Sequence, residues 1–450
     1  MPHSIYISQD ELKSDIKSSI SLDNNTVHII NRDELINAII NKLAYTAALS
    51  DDPNLKTFTQ NLIRKIAHEF GAVPSSINDL YMSFGNGSVR GFTVPAMNVR
   101  TLTYDMCQRA FGLAKQHNIG AMVFELANSE QEYTDQPASE YSSSVLAAAI
   151  KADFTGPVFI QGDHYQFKAD TFASDKNGEI DRMKGMIKRS IEAEFYNIDI
   201  DGSTLVDLKK PTVDEQQKNN YEMTALMADY IRSIEPQGLT VSIGGEIGHI
   251  GGVNSTVADF KAFMDGLARQ ESYKNHVGIS KVAIQTGTSH GGILMPDGKI
   301  KEVSVDFDVI RDISDVCRNV YKMGGSVQHG ASTLPEDLFN RFPECNTLEI
   351  HLATGFQNII FDHLSDGFKE KIYAWMKKNL ASERTEGQTN EQFNYTLRKK
   401  ALGPFKKDLW TLEDGEKKKI LDALEAKLNL LFQKLNVYNS YEVVKKCTTR

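Results

Sequence analysis

Apolar positions in the first ninety residues recur at helical spacing. Leu35, Ile39, Ile40, Leu43 and Ala47 share one face behind Asn31–Glu34, which has capping-box character. A second stripe, Leu55, Phe58, Leu62, Ile63, Ile66 and Phe70, stops at Gly71, a suitable helix terminator. Residues 1–90 are therefore expected to form an N-terminal helical extension. From Gly91 the rhythm changes, and short apolar stretches alternate with amphipathic ones. Strands are expected at Phe92–Val99, Ala121–Leu126, Val158–Gln161, Tyr196–Ile200, Leu239–Ile243, Val282–Gln285, Ser326–Gln328 and Leu348–Leu352. Helices are expected between them, at 103–117, 139–151, 182–194, 219–234, 256–269, 306–322 and 335–341. Several strands are apolar without strict alternation, as when both faces are buried.

Eight successive βα units predict an α/β fold, a (β/α)8 TIM barrel over residues 91–370. A doubly wound sheet is the alternative, but neither GxGxxG nor GxxxxGK[ST] follows the first strand. Residues 371–450 return to helix and loop as a C-terminal helical extension. The polar run 382–394 reads as a linker or exposed loop. Leu421, Leu424, Leu428, Leu431 and Leu435 keep 3-4-3-4 spacing for only two heptads, short of a coiled coil. Docking on the chain's own barrel is the expectation, and a subunit contact the alternative.

With 41% hydrophobic and 24% charged residues, the chain is expected to fold over most of its 450 residues. Fifty basic against fifty-nine acidic side chains give a net charge of −9, which argues against nucleic-acid or anionic-membrane binding. No apolar run reaches the roughly 18 residues of a membrane span, and residues 1–15 lack the apolar core of a secretory signal. Four scattered cysteines without CxxC spacing support neither a disulfide framework nor a zinc ribbon, so a cytoplasmic location is expected.

Barrel chemistry gathers where strands end. The expected strand ends read Gln161-Gly-Asp163-His164, Asp199-Ile-Asp201-Gly-Ser203, Gly244-Gly-Glu246-Ile-Gly-His249, Gln285-Thr-Gly-Thr-Ser-His290-Gly291, Gln328-His329-Gly330-Ala-Ser332 and His351-Leu-Ala-Thr354-Gly355. Any one of these histidines alone would more often be structural. Around one mouth, His164, Glu246, His290 and His329 could converge, and imidazoles with a carboxylate suit zinc or a similar divalent ion. Asp163 is either an orienting partner or a general acid/base. Asp199 and Asp201 could bind a second cation, repel an anion or cap the next segment. Glycine turns with hydroxyls after the last three strands, at Gly287, Gly330–Ser332 and Thr354, could cradle a phosphate.

From Val94-Pro-Ala-Met-Asn98 to Thr354 this string of strand ends resembles the class II, metal-dependent fructose-bisphosphate aldolase family, which includes tagatose-bisphosphate aldolases. The resemblance implies zinc held by His164, His290 and His329, with Glu246 as an additional ligand. It implies that Asp163 exchanges a proton with the substrate hydroxyl at the cleaved bond. It matches Asp201, a candidate for a second cation, to the family's IDGS aspartate. Asn98, Gly291, Gly330, Ser332, His351 and Thr354 become substrate or phosphate contacts. The implied activity is cleavage and condensation of a phosphorylated ketose, foremost fructose 1,6-bisphosphate, through a zinc-stabilised enediolate, a step of glycolysis. The alternatives are a tagatose-bisphosphate or other sugar aldolase or epimerase on the same metal barrel, or a non-catalytic aldolase partner subunit. The expected partners are a small phosphorylated sugar and further copies of the chain, as a dimer or tetramer, with no nucleic acid or membrane.

Three departures bear on substrate identity. The family's acidic pair after the glycine pair is Val253-Asn254 here, with His249 in the same loop as a candidate substitute. The family's strand-eight asparagine and the acid after its threonine are His351 and Gly355. The strand-seven loop reads HGAST where HGGSG is usual.

Overall fold

The apolar stretches of the central region become eight parallel strands closed into a barrel. The computed structural model describes residues 4–23, 26–248, 253–274, 276–287 and 304–448. Two antiparallel strands near the start, β1 (Ile20–Asp23) and β2 (Thr26–Ile29), form a hairpin, and β3 (Ala72–Ser75) follows. The barrel comprises β4 (Val94–Asn98), β5 (Val123–Ala127), β6 (Gly156–Gln166), β7 (Asn197–Asp201), β8 (Ser242–Glu246), β9 (Lys281–Ile284), β10 (Gly325–Gln328) and β11 (Glu349–Leu352). Pairing of β11 with β4, from Glu349 opposite Val94 to Leu352 opposite Met97, closes the ring. All eight expected barrel strands are present, with β8 displaced toward its glycines.

The first ninety residues hold three short strands beside their helices. The strands β1, β2 and β3 are short and lack helical or alternating patterns long enough to read. β3 runs parallel to the lower half of β6, with Ala72 opposite Gly156 and Ser75 opposite Phe159. Higher up, β7 takes over that edge, from Gln161 opposite Asn197. Asn197 secures the junction: its Oδ1 accepts from the Ile77 N–H (2.8 Å), and its Nδ2 donates to the carbonyls of Ser75 (3.3 Å) and Ile160 (2.9 Å).

The expected extension helices form where their patterns place them. In Pro53–Phe70, Asp52 Oδ1 caps the N–H groups of Asn54 and Leu55, proline occupies the first turn, and Gly71 ends the helix at φ 92°. This helix packs on Ala138–Lys151. There the buried Glu140 receives Lys56 from the N-terminal segment (3.0 Å) and Lys406 from the C-terminal one (2.6 Å). The helix Asp414–Lys434 buries Leu421, Leu424, Leu428 and Leu431 against the barrel helices Thr103–His117 and Thr354–His363. Its leucine stripe is thus core rather than an exposed seam. Lys417 on that helix donates to Tyr45 Oη (2.7 Å) and the Trp410 carbonyl and pairs with Asp105 (3.5 Å), joining both extensions to the barrel.

The barrel interior is polar where bulky branched side chains are usual. Lys281 Nζ donates to Gln161 Oε1 (2.7 Å), Asp199 Oδ2 (2.9 Å) and Glu349 Oε1 (2.5 Å). Gln161 Nε2 donates to Glu125 Oε2 (3.0 Å) and Glu349 Oε1 (3.1 Å), and Tyr81 Oη donates to Glu349. No helix among the described residues is long and apolar enough to cross a membrane.

Candidate active site

A defect in β6 makes the site. Gly162 pairs with Ile198 of β7 and Tyr165 with Ile200, so one extra residue bulges between them. In a regular strand Asp163 and His164 would point to opposite faces. Here His164 takes a left-handed backbone at φ 44°, and both side chains reach the C-terminal mouth of the barrel. Tyr165 then turns outward, its hydroxyl bonded with Ser190 and its ring over Gly162. A Cβ at Gly162 would stand 2.5 Å from that ring, so glycine is required there.

The mouth is a cavity of about 450 Å³. His164 Nδ1 lies 3.2 Å from Glu246 Oε2 and 3.3 Å from Asp201 Oδ2, while its Nε2 lies 3.8 Å from Asp163 Oδ2. The rings of His164 and His329 are 4.4 Å apart, and those of His329 and His351 are 4.1 Å apart. Burial opposes charge on His164, but the carboxylates of Asp163 and Glu246 override it and raise the imidazole well above its usual range. Glu246 is pushed up to about 8 by burial and by the charge of Asp201, against the pull of His164. Burial would also raise Asp163, but His164 and His351 hold it well below the ordinary carboxylate range. It therefore stays ionised beside its cationic neighbours. Asp201 is already engaged: Oδ1 accepts from Ser203 N (3.0 Å) and Oγ (2.6 Å), and Oδ2 accepts from Gln166 Nε2 (2.6 Å).

The structure brings Asp163, His164, Glu246, His329, Asn98, Gly330, Ser332, His351 and Thr354 to one cavity wall, with Asp201 behind His164. His290 and Gly291, together with His249 and Gly251-Gly252, lie outside the described residues. Asn98 Nδ2 donates to Glu130 Oε2 (2.5 Å), and Arg100 Nη2 pairs with Glu130 Oε1 (2.7 Å). Gly330 adopts φ 71°, opening the turn that carries Ser332, and Thr354 begins the helix Thr354–His363 beside it. A Cβ at Gly355 would meet the Ser332 carbonyl oxygen at 2.6 Å, which accounts for glycine in place of an acid.

Several cavity residues escaped the sequence reading, among them Glu125 and a set from the C-terminal region. Glu125 enters the cavity from the middle of β5, and its signal is a lone acid within an apolar strand. Tyr395, Thr396 and Lys399 come from the helix Asn390–Leu397 and the turn after it, just beyond the polar run 382–394. Lys399 forms no ion pair among the described residues, and burial lowers its pKa, with Arg100 adding to the shift.

The donors fit a divalent metal. Asp163, His164 and His329 offer ligand atoms within 4.8 Å of one another, and so do His164, Asp201 and Glu246. A buried set of imidazole nitrogens and carboxylate oxygens suits zinc and its neighbours. A family model described as class-II fructose-bisphosphate aldolase matches residues 83–401. A solved structure described as a probable tagatose 6 phosphate kinase from Sinorhizobium meliloti 1021 is 14% identical with a TM-score of 0.52, covering 79% of this chain and 93% of its own, and supports the fold. A fructose-bisphosphate aldolase from Campylobacter jejuni is 16% identical with a TM-score of 0.47, covering 80% of this chain and 93% of its own.

Proposed function

The chain belongs to the class II fructose-bisphosphate aldolase family, and from that premise we propose that it cleaves and forms the C3–C4 bond of a phosphorylated ketose, foremost fructose 1,6-bisphosphate. The observation that carries this reading is the bulge that delivers Asp163 and His164 together to a mouth shared with Glu246 and His329. His164, His329 and Glu246 would hold the metal, zinc being the first candidate, with His290 as the further ligand. When bound there, such an ion supplies Lewis acidity toward the ketone oxygen and the negative charge left on the C1–C3 fragment.

Asp163 takes the proton of the C4 hydroxyl during cleavage and returns it during condensation. The ionised carboxylate is the form that task requires. Gly330, Ser332 and Thr354 bind the phosphate of the three-carbon ketone half through turn N–H groups, hydroxyls and a helix N-terminus. Lys399 faces the opposite end of the substrate and binds its second phosphate.

Removing metal with a chelator should abolish cleavage, and zinc should restore it. Asp163→Ala should retain the ion at His164 and His329 yet lose cleavage by a factor of about 100 or more. Activity that survives complete metal removal overturns the reading. His351 and Gly355 in place of the family's asparagine and acid favour a second reading, a tagatose-type bisphosphate of opposite C4 configuration. Cleavage rates on both ketoses decide between the two.

A further inference from the structure

His351, expected from the resemblance to contact the substrate, has both ring nitrogens against protein carboxylates. Its Nε2 lies 2.6 Å from Glu349 Oε1, and its Nδ1 lies 3.0 Å from Glu125 Oε2 and 3.3 Å from Asp163 Oδ1. The ring is 5% exposed, while Glu125 and Glu349 are fully buried. A nitrogen taken by a buried carboxylate is not free to bind a phosphate or hydroxyl of the substrate. The residue therefore needs another role in the mouth.

Its orientation is set from the barrel floor. The same Glu349 Oε1 accepts from Lys281 Nζ (2.5 Å) and Gln161 Nε2 (3.1 Å), and Tyr81 Oη donates to the other oxygen. Gln161 Nε2 also donates to Glu125 Oε2 (3.0 Å). Side chains from β5, β6, β9 and β11 thus fix both carboxylates between which the imidazole stands. A ring locked in this way is already aimed, and no reorganisation is needed when substrate arrives.

What it aims at is Asp163. That residue lies in the irregular stretch of β6, where side-chain partners rather than strand pairing must fix the plane of the carboxylate. Oδ1 lies on the His351 side, and Oδ2 on the His164 side, 3.8 Å from Nε2. Held at Oδ1, the carboxylate cannot rotate, and Oδ2 is the oxygen left to face the substrate. We propose that His351 is a positioning residue for Asp163: anchored on Glu349, it holds Oδ1 so that Oδ2 meets the C4 hydroxyl, and it makes no contact with the substrate itself. The inference rests on the reading of Asp163 as the acid/base of the cleavage.

The test is steady-state cleavage of fructose 1,6-bisphosphate by the zinc-loaded full chain, with zinc content measured for each variant. His351→Gln keeps an amide for Glu349 but withdraws the group beside Asp163. It should retain zinc and a KM within a factor of about 2, and lose kcat about 10-fold or more. In an Asp163→Ala background the same change should cost nothing further, because its effect passes through Asp163. A raised KM with unchanged kcat, wild-type values of both, or the full loss repeated in Asp163→Ala each overturn the inference and leave the proposed function standing. Asp163→Ala cleaving at the wild-type rate overturns that function, and the inference with it. A crystal structure of the wild type with zinc and dihydroxyacetone phosphate decides even if a variant fails to fold. His351 should stay against Glu125 and Asp163, and a His351 nitrogen within hydrogen-bond distance of the ligand overturns the inference.

Discussion

His164 carries the strain of the site. Its left-handed backbone costs a side chain of this kind about 1–2 kcal/mol, whereas asparagine and glycine accept it readily. His164→Asn relieves that strain but removes the imidazole paired with Asp163, Asp201 and Glu246, so the metal-free protein should lose stability in thermal unfolding while metal binding by equilibrium dialysis falls sharply. Lys281 shows the charge effect without the strain. It neutralises Asp199 and Glu349 in the barrel interior, and Lys281→Met leaves two buried carboxylates without their cation. A loss of about 3–5 kcal/mol is expected in denaturant unfolding. At this scale the sequence was legible where chemistry sits at strand ends, as at Asp163-His164 and His329. Glu125, Lys281 and Glu349 were visible as charges inside apolar strands, but spacing alone could not say that their tips meet across the barrel.

Among the elements, β6 holds the most information. Its bulge cannot be read from a period-two pattern, because one added residue changes the register only when partner strands are known. Gly162→Ala pushes a Cβ into the Tyr165 ring, and should cost about 1–3 kcal/mol and weaken metal binding together. Strand β3 was equally hidden, since four residues against the lower half of β6 carry no period. The docking of Pro53–Phe70 has its own pH signature. His68 Nε2 lies 2.7 Å from Glu194 Oε1, and that hydrogen bond raises the imidazole above its usual 6.5 although burial opposes it. A raised folded pKa adds stability that is complete below about pH 6.5 and lost as pH rises through the folded value. Both partners are partly exposed, so screening limits the effect to a few tenths of a kcal/mol. The loss of melting temperature between about pH 6 and pH 8 should shrink measurably in His68→Gln.

The whole molecule departs most from the sequence reading in how its extensions serve the barrel. A polar stretch facing solvent and a polar stretch leading into a cavity look alike in composition, so 382–394 read as a linker or exposed loop although the cavity-lining Tyr395 and Lys399 follow it directly. Lys399→Met should raise KM for a bisphosphate by a factor of about 10, and change little for a ketose lacking the distal phosphate. The three chain regions meet at Lys417, Tyr45 and Asp105, so calorimetry should show one unfolding transition for the full chain. Glu140 takes this further. One buried carboxylate answers Lys56 from one extension and Lys406 from the other, so each lysine settles a charge that the other must share. Thermodynamic reciprocity then links the two ends of the polypeptide: whatever free energy one extension lends the other's docking is returned in equal measure. Lys56→Met should thus change sugar-phosphate affinity at a cavity whose wall contains no N-terminal residue, and the barrel would report at its mouth on events at its flank.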